Sequence, residues 1–404
     1  MRLLPLVLFC AAVATASEAD ALAISANIRE RHMPFGTLLD PMFSSASSDE
    51  IVRYTRCGDS AIWTGHYLAA EAFRYKVTSS EDAISNVRHA IRGIRSLVDV
   101  TGTDLLARCL VPADSSFARA IMYEERHHGK FSGSIDGMPY VWMANTSRDQ
   151  YSGVFFGLGV AWDLVEDAGV RSEVSALVTR ITDFLLSNRW AVMMPDGRIS
   201  TVFWHRPEQL LAFLQVARSV NPERFEKAYT HSRQALALAV GTAIAFEVVD
   251  AHRSYFKFNL DAINLYHLVR LEDNAVARSL YASAYGLLRA ATRRHGNAHF
   301  NMIDRALNGP DKARDAETRA LLETWLERPR RDPYVDLRAL YLACGNEERA
   351  CDPIPLVERV RTDFLWQRSP YLLYGGGEER IEGAGVDYIL PYWMARYYGV
   401  VDPI

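Results

Sequence analysis

Apolar residues recur at three- and four-residue steps over most of the chain after residue 55. Between Asp59 and Tyr75 they follow one face of a helix, and after a short turn at Thr78 to Ser80 a second run with the same period extends from Asp82 to Asp99. The turn residues before the second run are typical of a helix start. The pattern therefore predicts a helical hairpin over residues 59–99.

The same pattern recurs along the chain and predicts further helices. Three further helical hairpins are predicted, at 149–166 with 171–188, at 207–218 with 223–240, and at 259–269 with 274–293. Single helices are predicted after them, at 312–327, 334–343, 356–364 and 385–398. Strand-like alternation is rare and short. The periodicity predicts about eleven or twelve helices and an all-α fold class.

Antiparallel helix pairs joined by tight turns can close into a ring, which buries each hairpin against two neighbours. We therefore predict an (α/α)6 toroid of helical hairpins. An open solenoid is the rival architecture, but no fixed repeat length is visible, and the loops at 103–146 and 189–206 are long and irregular. No linker divides the chain, so residues 17–404 are predicted to be a single domain.

The N-terminus has the pattern of a secretory signal peptide. Arg2 precedes an apolar run from Leu3 to Val13, and Ala14-Thr15-Ala16 has the small-x-small form of a cleavage site. Residues 1–16 are predicted to be removed, which places the mature protein in the periplasm or outside the cell. No later stretch has about 20 uninterrupted apolar residues, so we expect no membrane association after cleavage.

The remaining cysteines are expected to pair in an oxidising compartment. Four remain after Cys10 is removed, and four cysteines permit three pairings. The loop between Cys344 and Cys351 contains Gly and Asn and can turn back on itself. We favour that pair, and Cys57 with Cys109 follows; four free thiols are the alternative.

Charge and short motifs exclude several function classes. The formal net charge of -4 argues against binding to nucleic acid. We predict no cofactor. We also predict no metal site, because the adjacent His127 and His128 should point in different directions on any regular element. Neither a phosphate-binding loop nor the Gly-x-Ser-x-Gly motif of serine hydrolases is present.

Two segments share a layout that points to a site. Residues 57–67 (CGDSAIWTGHY) and 145–153 (NTSRDQYSG) each place an acid, Asp59 or Asp149, at the start of a helix whose first turns are rich in Gly, aromatic and polar residues. This layout resembles the inner helices of the six-hairpin, (α/α)6-barrel carbohydrate-active enzymes, including unsaturated glucuronyl hydrolases and several polysaccharide lyases. The series of predicted hairpins that resembles this family extends over most of the mature chain.

A glycosidase needs two carboxyl groups across the scissile bond, one to protonate the leaving oxygen and one to activate water or attack. Asp59 and Asp149 are the predicted catalytic pair, and which of them is the acid stays open. The alternative is that both side chains only cap the first turns of their helices.

A lyase would use a different set of residues, with a cation or amide to neutralise a uronate carboxylate and a base to remove a proton. Asn145, Arg148 and Tyr151 offer such groups in one segment, and His66 or His205 could be the base. Aromatic and polar side chains that would line the opening complete the predicted substrate-binding residues: Trp63, Asn259, His299, Asp387 and Tyr388.

The sequence thus predicts a secreted glycoside hydrolase acting on a polysaccharide or oligosaccharide. A polysaccharide lyase is the first alternative. A non-catalytic glycan-binding protein and a helical-repeat interaction scaffold are the alternatives from other classes. The oligomeric state stays open.

Overall fold

The computed structural model describes residues 16–250, 255–344, 351–361 and 363–402. These residues form thirteen α-helices: α1 (Glu18–Asn27), α2 (Ser60–Thr78), α3 (Glu81–Asp99), α4 (Ala118–Glu124), α5 (Arg148–Leu164), α6 (Ala168–Ser187), α7 (Pro207–Val220), α8 (Pro222–Asp250), α9 (Phe256–Leu271), α10 (Ala275–Thr292), α11 (Ala298–Asn308), α12 (Lys312–Leu326) and α13 (Val386–Tyr397). They also form nine strands: β1 (Asp40–Phe43), β2 (Ile51–Thr55), β3 (Leu110–Pro112), β4 (Lys130–Ile135), β5 (Met138–Met143), β6 (Ala191–Met193), β7 (Ile199–Val202), β8 (Arg331–Asp336) and β9 (Tyr374–Glu382).

Polar side chains begin several of the helices where the apolar period predicted a start. Ser80 accepts a hydrogen bond from the Ala83 amide at the start of α3, at 3.1 Å. Asn274 accepts from the Ala277 amide at the start of α10, at 3.0 Å. Such caps satisfy amides that have no partner inside the helix. The first and the last of the described helices also meet, since α1 packs on α13.

Helices α2 and α5 lie side by side in parallel and in unusually close contact. A Cβ atom on Gly65 would lie 2.0 Å from the Gly153 carbonyl oxygen, and one on Gly153 would lie 2.5 Å from the Ile62 carbonyl oxygen. Only glycine permits backbones to approach this closely. The contact brings the N-terminal ends of the two helices together, and these ends carry Asp59 and Asp149.

Three antiparallel sheets show that the all-α class is wrong, and with it the predicted (α/α)6 toroid made of helical hairpins alone. The strand orders are β2-β1-β9-β8, β3-β5-β4 and β6-β7. Sheets β3-β5-β4 and β6-β7 fall in the two segments predicted to be irregular loops. The helix predicted at 334–343 is also wrong, because it begins inside β8, which pairs with β9. The described fold is mixed α and β.

A two-residue turn explains the β4-β5 hairpin. Asp136 and Gly137 connect the strands with φ values of 50° and 81°, and a pair of residues with positive φ matches the twist of two antiparallel strands. Asp-Gly is a frequent sequence for such turns.

Both predicted disulfides are confirmed. The Cα atoms of Cys57 and Cys109 are 5.5 Å apart, and those of Cys344 and Cys351 are 5.0 Å apart, each pair with its sulfur atoms bonded. Two disulfides are compatible with an extracellular or periplasmic location. The predicted signal peptide lies outside the described residues, apart from Ala16, and stays a prediction, as does the single domain over residues 17–404.

Among the described residues, one helix meets the length and composition of a membrane span. Within Pro222–Val249 of α8, an 18-residue stretch has a mean hydropathy of 1.3, and 22% of that stretch is buried. Helices of water-soluble proteins also meet this criterion, so it does not by itself assign a membrane span.

Candidate active site

An acidic cleft of about 410 Å³ opens where α2 and α5 begin. Its walls include the apolar side chains of Trp63 and Phe256. Its ionisable side chains come from separate parts of the chain: Arg56, Asp59, Glu124, Glu125, His128, Asp149, Asp363 and Arg368. We call the cavity that these residues line, together with Trp63, Phe256 and Gln367, the acidic cleft.

Asp59 reaches the cleft from a short 3-10 helix, Cys57–Asp59, which the Cys57–Cys109 disulfide fixes to the neighbouring strand. Gln150 Nε2 donates a hydrogen bond to Asp59 Oδ1 at 3.1 Å, and Arg108 Nη2 lies 3.5 Å from the same oxygen. Asp59 occupies the N-cap position of α2, but its side chain makes no capping hydrogen bond among the described residues. Its position is therefore not explained by capping.

Asp149 lies in the first turn of α5, where Ser147 is the N-cap residue. The Ser147 side chain makes no capping hydrogen bond among the described residues, and the Asp149 carboxyl accepts one from its own backbone amide. The capping alternative therefore stays open for Asp149. Burial raises the pKa of the Asp149 carboxyl, the negative charge of Asp59 raises it further, and Arg108 and Arg148 oppose the rise. The two carboxyls therefore interact across the cleft, and the ionised form of Asp149 is disfavoured.

The Asp59 carboxyl is also held in a less ionised state than usual. Although 41% of its side chain is exposed to the cleft, protein surrounds the other sides, and this desolvation raises its pKa. Arg108 opposes the rise and Asp363 adds to it. A carboxyl that keeps its proton to higher pH is better suited to act as a general acid.

Asp363 is a member of the cleft that the sequence analysis missed. Arg368 Nε donates to Asp363 Oδ2 at 2.7 Å, and Arg56 Nη1 lies 3.4 Å from Oδ1. Arg56 also donates to Asp40 Oδ2 at 2.7 Å. Arg56 adopts a φ of 62°, a conformation that side chains other than glycine rarely take and that is often found at functional sites.

Glu124, Glu125 and His128 were missed as well, because they lie in a segment predicted to be a loop. Glu125 Oε1 accepts a hydrogen bond from the Gly58 amide at 3.0 Å. The rings of His127 and His128 have centroids only 3.9 Å apart. The expectation that these two rings point in different directions is therefore wrong, because they share a one-turn 3-10 helix, Arg126–His128.

Three predicted binding residues form a sealed interior network instead of lining the cleft. His66 Nδ1 donates to the Ile62 carbonyl oxygen at 2.9 Å, and His66 Nε2 accepts from Asn259 Nδ2 at 3.1 Å. Asn259 Oδ1 then accepts from His299 Nε2 at 3.0 Å. The Trp366 ring stacks on His66 at 5.2 Å. We call His66, Asn259 and His299 the histidine cluster.

Both imidazoles of the histidine cluster are neutral near pH 7. Burial lowers the pKa of His66 to about 4 and lowers that of His299 well below its usual value. All three side chains are at most 2% exposed. His66 Nε2 accepts a hydrogen bond in this network, which requires a neutral His66 ring, and the cluster has no access to a substrate.

The other predicted binding residues are scattered. Arg148 Nη1 donates to His205 Nε2 at 2.7 Å on the exposed surface, and Asn145 is exposed. Tyr151 is fully buried, with its ring edge-on to Phe203.

Two predicted residues lie near the start of α13. Asp387 lines a small recess that shares Trp63 and Asp363 with the acidic cleft, and it accepts a hydrogen bond from the Leu365 amide at 3.0 Å. Tyr388 is buried and stacks on Tyr392. The cleft therefore contains Asp59, Asp149 and Trp63 from the predicted set.

No protein-family model, curated protein or solved structure matches this chain. The resemblance to six-hairpin carbohydrate-active enzymes has no support from these comparisons, and the three sheets overturn the all-helical toroid that it implied. A proposal for function therefore depends on the chemistry of the cleft.

Proposed function

We propose that this protein is a glycoside hydrolase that acts on a polysaccharide or oligosaccharide in the acidic cleft. The observation that carries the proposal is that Asp59 and Asp149 line the same cleft and interact electrostatically. Hydrolysis of a glycosidic bond needs two carboxyls on either side of the bond. The parallel, close contact of α2 and α5 at their glycines supports such a pair, because it brings together the helix starts that carry the two carboxyls.

The raised pKa values of both carboxyls fit a division of roles. When two carboxyls interact, ionisation of one makes ionisation of the other less favourable, so the pair holds one proton over a range of pH. The protonated member then donates to the leaving oxygen, and the ionised member activates water or attacks the sugar. Asp363 favours the state in which the pair holds one proton, because its negative charge raises the pKa of Asp59.

The walls of the cleft suit a sugar ring. Phe256 is half-buried and supplies apolar surface against which the CH face of a sugar can stack, while Gln367 and Arg368 supply hydrogen-bond donors. The cleft has a volume in the range of small-ligand sites, and it can hold a short part of a glycan chain.

The lyase alternative has weaker support. A lyase needs a base beside a group that neutralises a uronate, but His66 and Tyr151 are fully buried and Asn145 is not among the residues that line the cleft. Of the proposed groups, only Arg148 and His205 are together, and their side chains bond to each other.

The experiment is incubation of the protein with a panel of neutral and uronate-containing glycans. Hydrolysis predicts new reducing ends without the ultraviolet absorbance of an unsaturated uronate. A rise in that absorbance would show elimination and replace the proposal with a lyase. Saturable binding with no new reducing ends would show a glycan-binding protein.

A further inference from the structure

One edge of the acidic cleft brings together three side chains that are good ligands for a metal ion. Glu125, His127 and His128 each offer one ligand atom, and these atoms lie within 4.8 Å of one another. His128 Nε2 is 3.3 Å from Glu125 Oε2. The tight turn Arg126–His128 places both imidazoles on the same side of the chain.

Gly58 leaves the space in which these atoms converge. A Cβ atom at this position would lie 2.8 Å from Glu125 Oε2 and 3.1 Å from His128 Nε2. The Gly58 amide donates to Glu125 Oε1 at 3.0 Å, which holds the carboxylate in place and leaves Oε2 beside the imidazole. Ligands oriented by a hydrogen bond in this way are typical of metal sites in proteins.

The His128 ring is half-buried beside the carboxylate. Its Nδ1 atom is buried and has no hydrogen-bond partner in the described part of the chain. The hydrogen bonds of the described residues therefore leave this ring nitrogen unused.

We propose that Glu125, His127 and His128 bind one divalent cation of the zinc class at the edge of the acidic cleft. Two imidazoles and one carboxylate form a ligand set that suits Zn²⁺ and Co²⁺. Three protein ligands leave a coordination position for water or for an oxygen of a molecule in the cleft. The inference does not rest on the proposed hydrolase activity, because it concerns binding alone.

The test is calorimetric titration of the full-length, tag-free protein with Zn²⁺ after treatment with a chelator, repeated with Co²⁺ and visible absorption. We expect one equivalent per chain and the intense absorption of Co²⁺ with four or five ligands. His127→Ala should weaken binding by at least about tenfold. Its side chain is exposed, so the melting temperature of the metal-free variant should not change.

The matched control is His231→Ala, which removes an exposed histidine from α8 and should leave the affinity unchanged. His128→Ala should weaken binding at least as much as His127→Ala, and the His127 variant decides the test if the His128 variant does not fold. Absence of saturable binding, or equal affinity in His127→Ala and wild type, would overturn the proposal. A protein that binds Zn²⁺ but cleaves no glycan would contradict only the hydrolase proposal.

Discussion

The acidic cleft and the histidine cluster were predicted to be one site, yet they differ in almost every physical property. The cleft is open and carries several charges. Burial raises the pKa values of Asp59 and Asp149, and a neighbouring carboxylate raises each further, Asp363 for Asp59 and Asp59 for Asp149. The histidine cluster is closed and neutral, and the hydrogen bonds along Asn259 join its two rings. Trp63 lies between them, since it lines the cleft and its ring is 5.1 Å from that of His66.

Residue type alone does not identify a site. A histidine that is hydrogen-bonded in the closed interior contributes to stability, whereas a carboxyl held near other carboxyls in an open cleft can exchange protons with a ligand. Each region should therefore respond differently to substitution and to pH.

The largest difference in activity between substitutions in the acidic cleft and in the histidine cluster should come from Asp149→Asn. We expect kcat/KM to fall by about 10² to 10⁴-fold, the usual contribution of a general acid or base. The melting temperature should stay within a few degrees, because asparagine keeps the shape of the side chain and an oxygen that can accept from a first-turn amide. Glycan cleavage by purified variants is the measurement.

Asp114→Asn is the matched control, because Asp114 is exposed and outside the cleft. It should keep full activity. Full activity in Asp149→Asn would remove this residue from the mechanism.

The histidine cluster should show the opposite response. Asn259→Ala leaves two buried imidazole nitrogens without partners, and we expect a loss of about 2 to 5 kcal/mol in the free energy of unfolding. The activity of each folded molecule should not change. Asn188→Ala, which removes a hydrogen bond to the Phe184 carbonyl oxygen, should cost less.

Denaturant unfolding and glycan cleavage measured on the same preparations give this comparison. An Asn259→Ala protein that is fully stable but inactive would place the cluster in the site after all.

Low pH should destabilise the protein through the histidine cluster. His66 has a pKa of about 4 in the folded state against 6.5 for an ordinary histidine, so the unfolded chain binds more protons between these values. The free energy of unfolding should therefore fall as the pH falls from 6.5 towards 4, with a contribution from His66 on the order of 3 kcal/mol.

His66→Gln should flatten this dependence, because glutamine takes up no proton in this range. Denaturant unfolding at a series of pH values tests the prediction, and an unchanged slope in the variant would show that His66 does not contribute.

The smallest effect should be a shift in the pH dependence of activity in Asp363→Asn. Loss of the Asp363 charge should lower the pKa of Asp59, so the limb of the rate profile that Asp59 controls should move to lower pH. A shift of the alkaline limb would make Asp59 the acid, and a shift of the acidic limb would make it the base. If neither limb moves, Asp59 does not titrate in the mechanism.

Helical periodicity predicted many helices well, because one apolar face is a local property of the sequence. The runs at 59–99 became α2 and α3 with their turn in place. The strands were missed although Asp136-Gly137 is a local hairpin signal. Strand β9 contains three consecutive glycines and pairs with distant β1 and β8, so no local pattern could have predicted it.

The candidate site was predictable only where its residues begin helices. Asp59 and Asp149 each stand at the start of a helix whose first turns are rich in Gly, aromatic and polar residues, and both line the cleft. Asp363 and Glu125 lie in irregular segments, and their proximity to the pair results from long-range packing that the sequence does not display. No local signal shows that His66 and His299 face a closed interior.

The most direct test of the central claim is the glycan-cleaving rate of the Asp59→Asn, Asp149→Asn double variant compared with each single variant. If the two carboxyls act as one catalytic pair, removing the second should cost little more than removing the first. A double variant whose rate equals the product of the two single losses, or one that still cleaves glycan at the wild-type rate, would contradict the account.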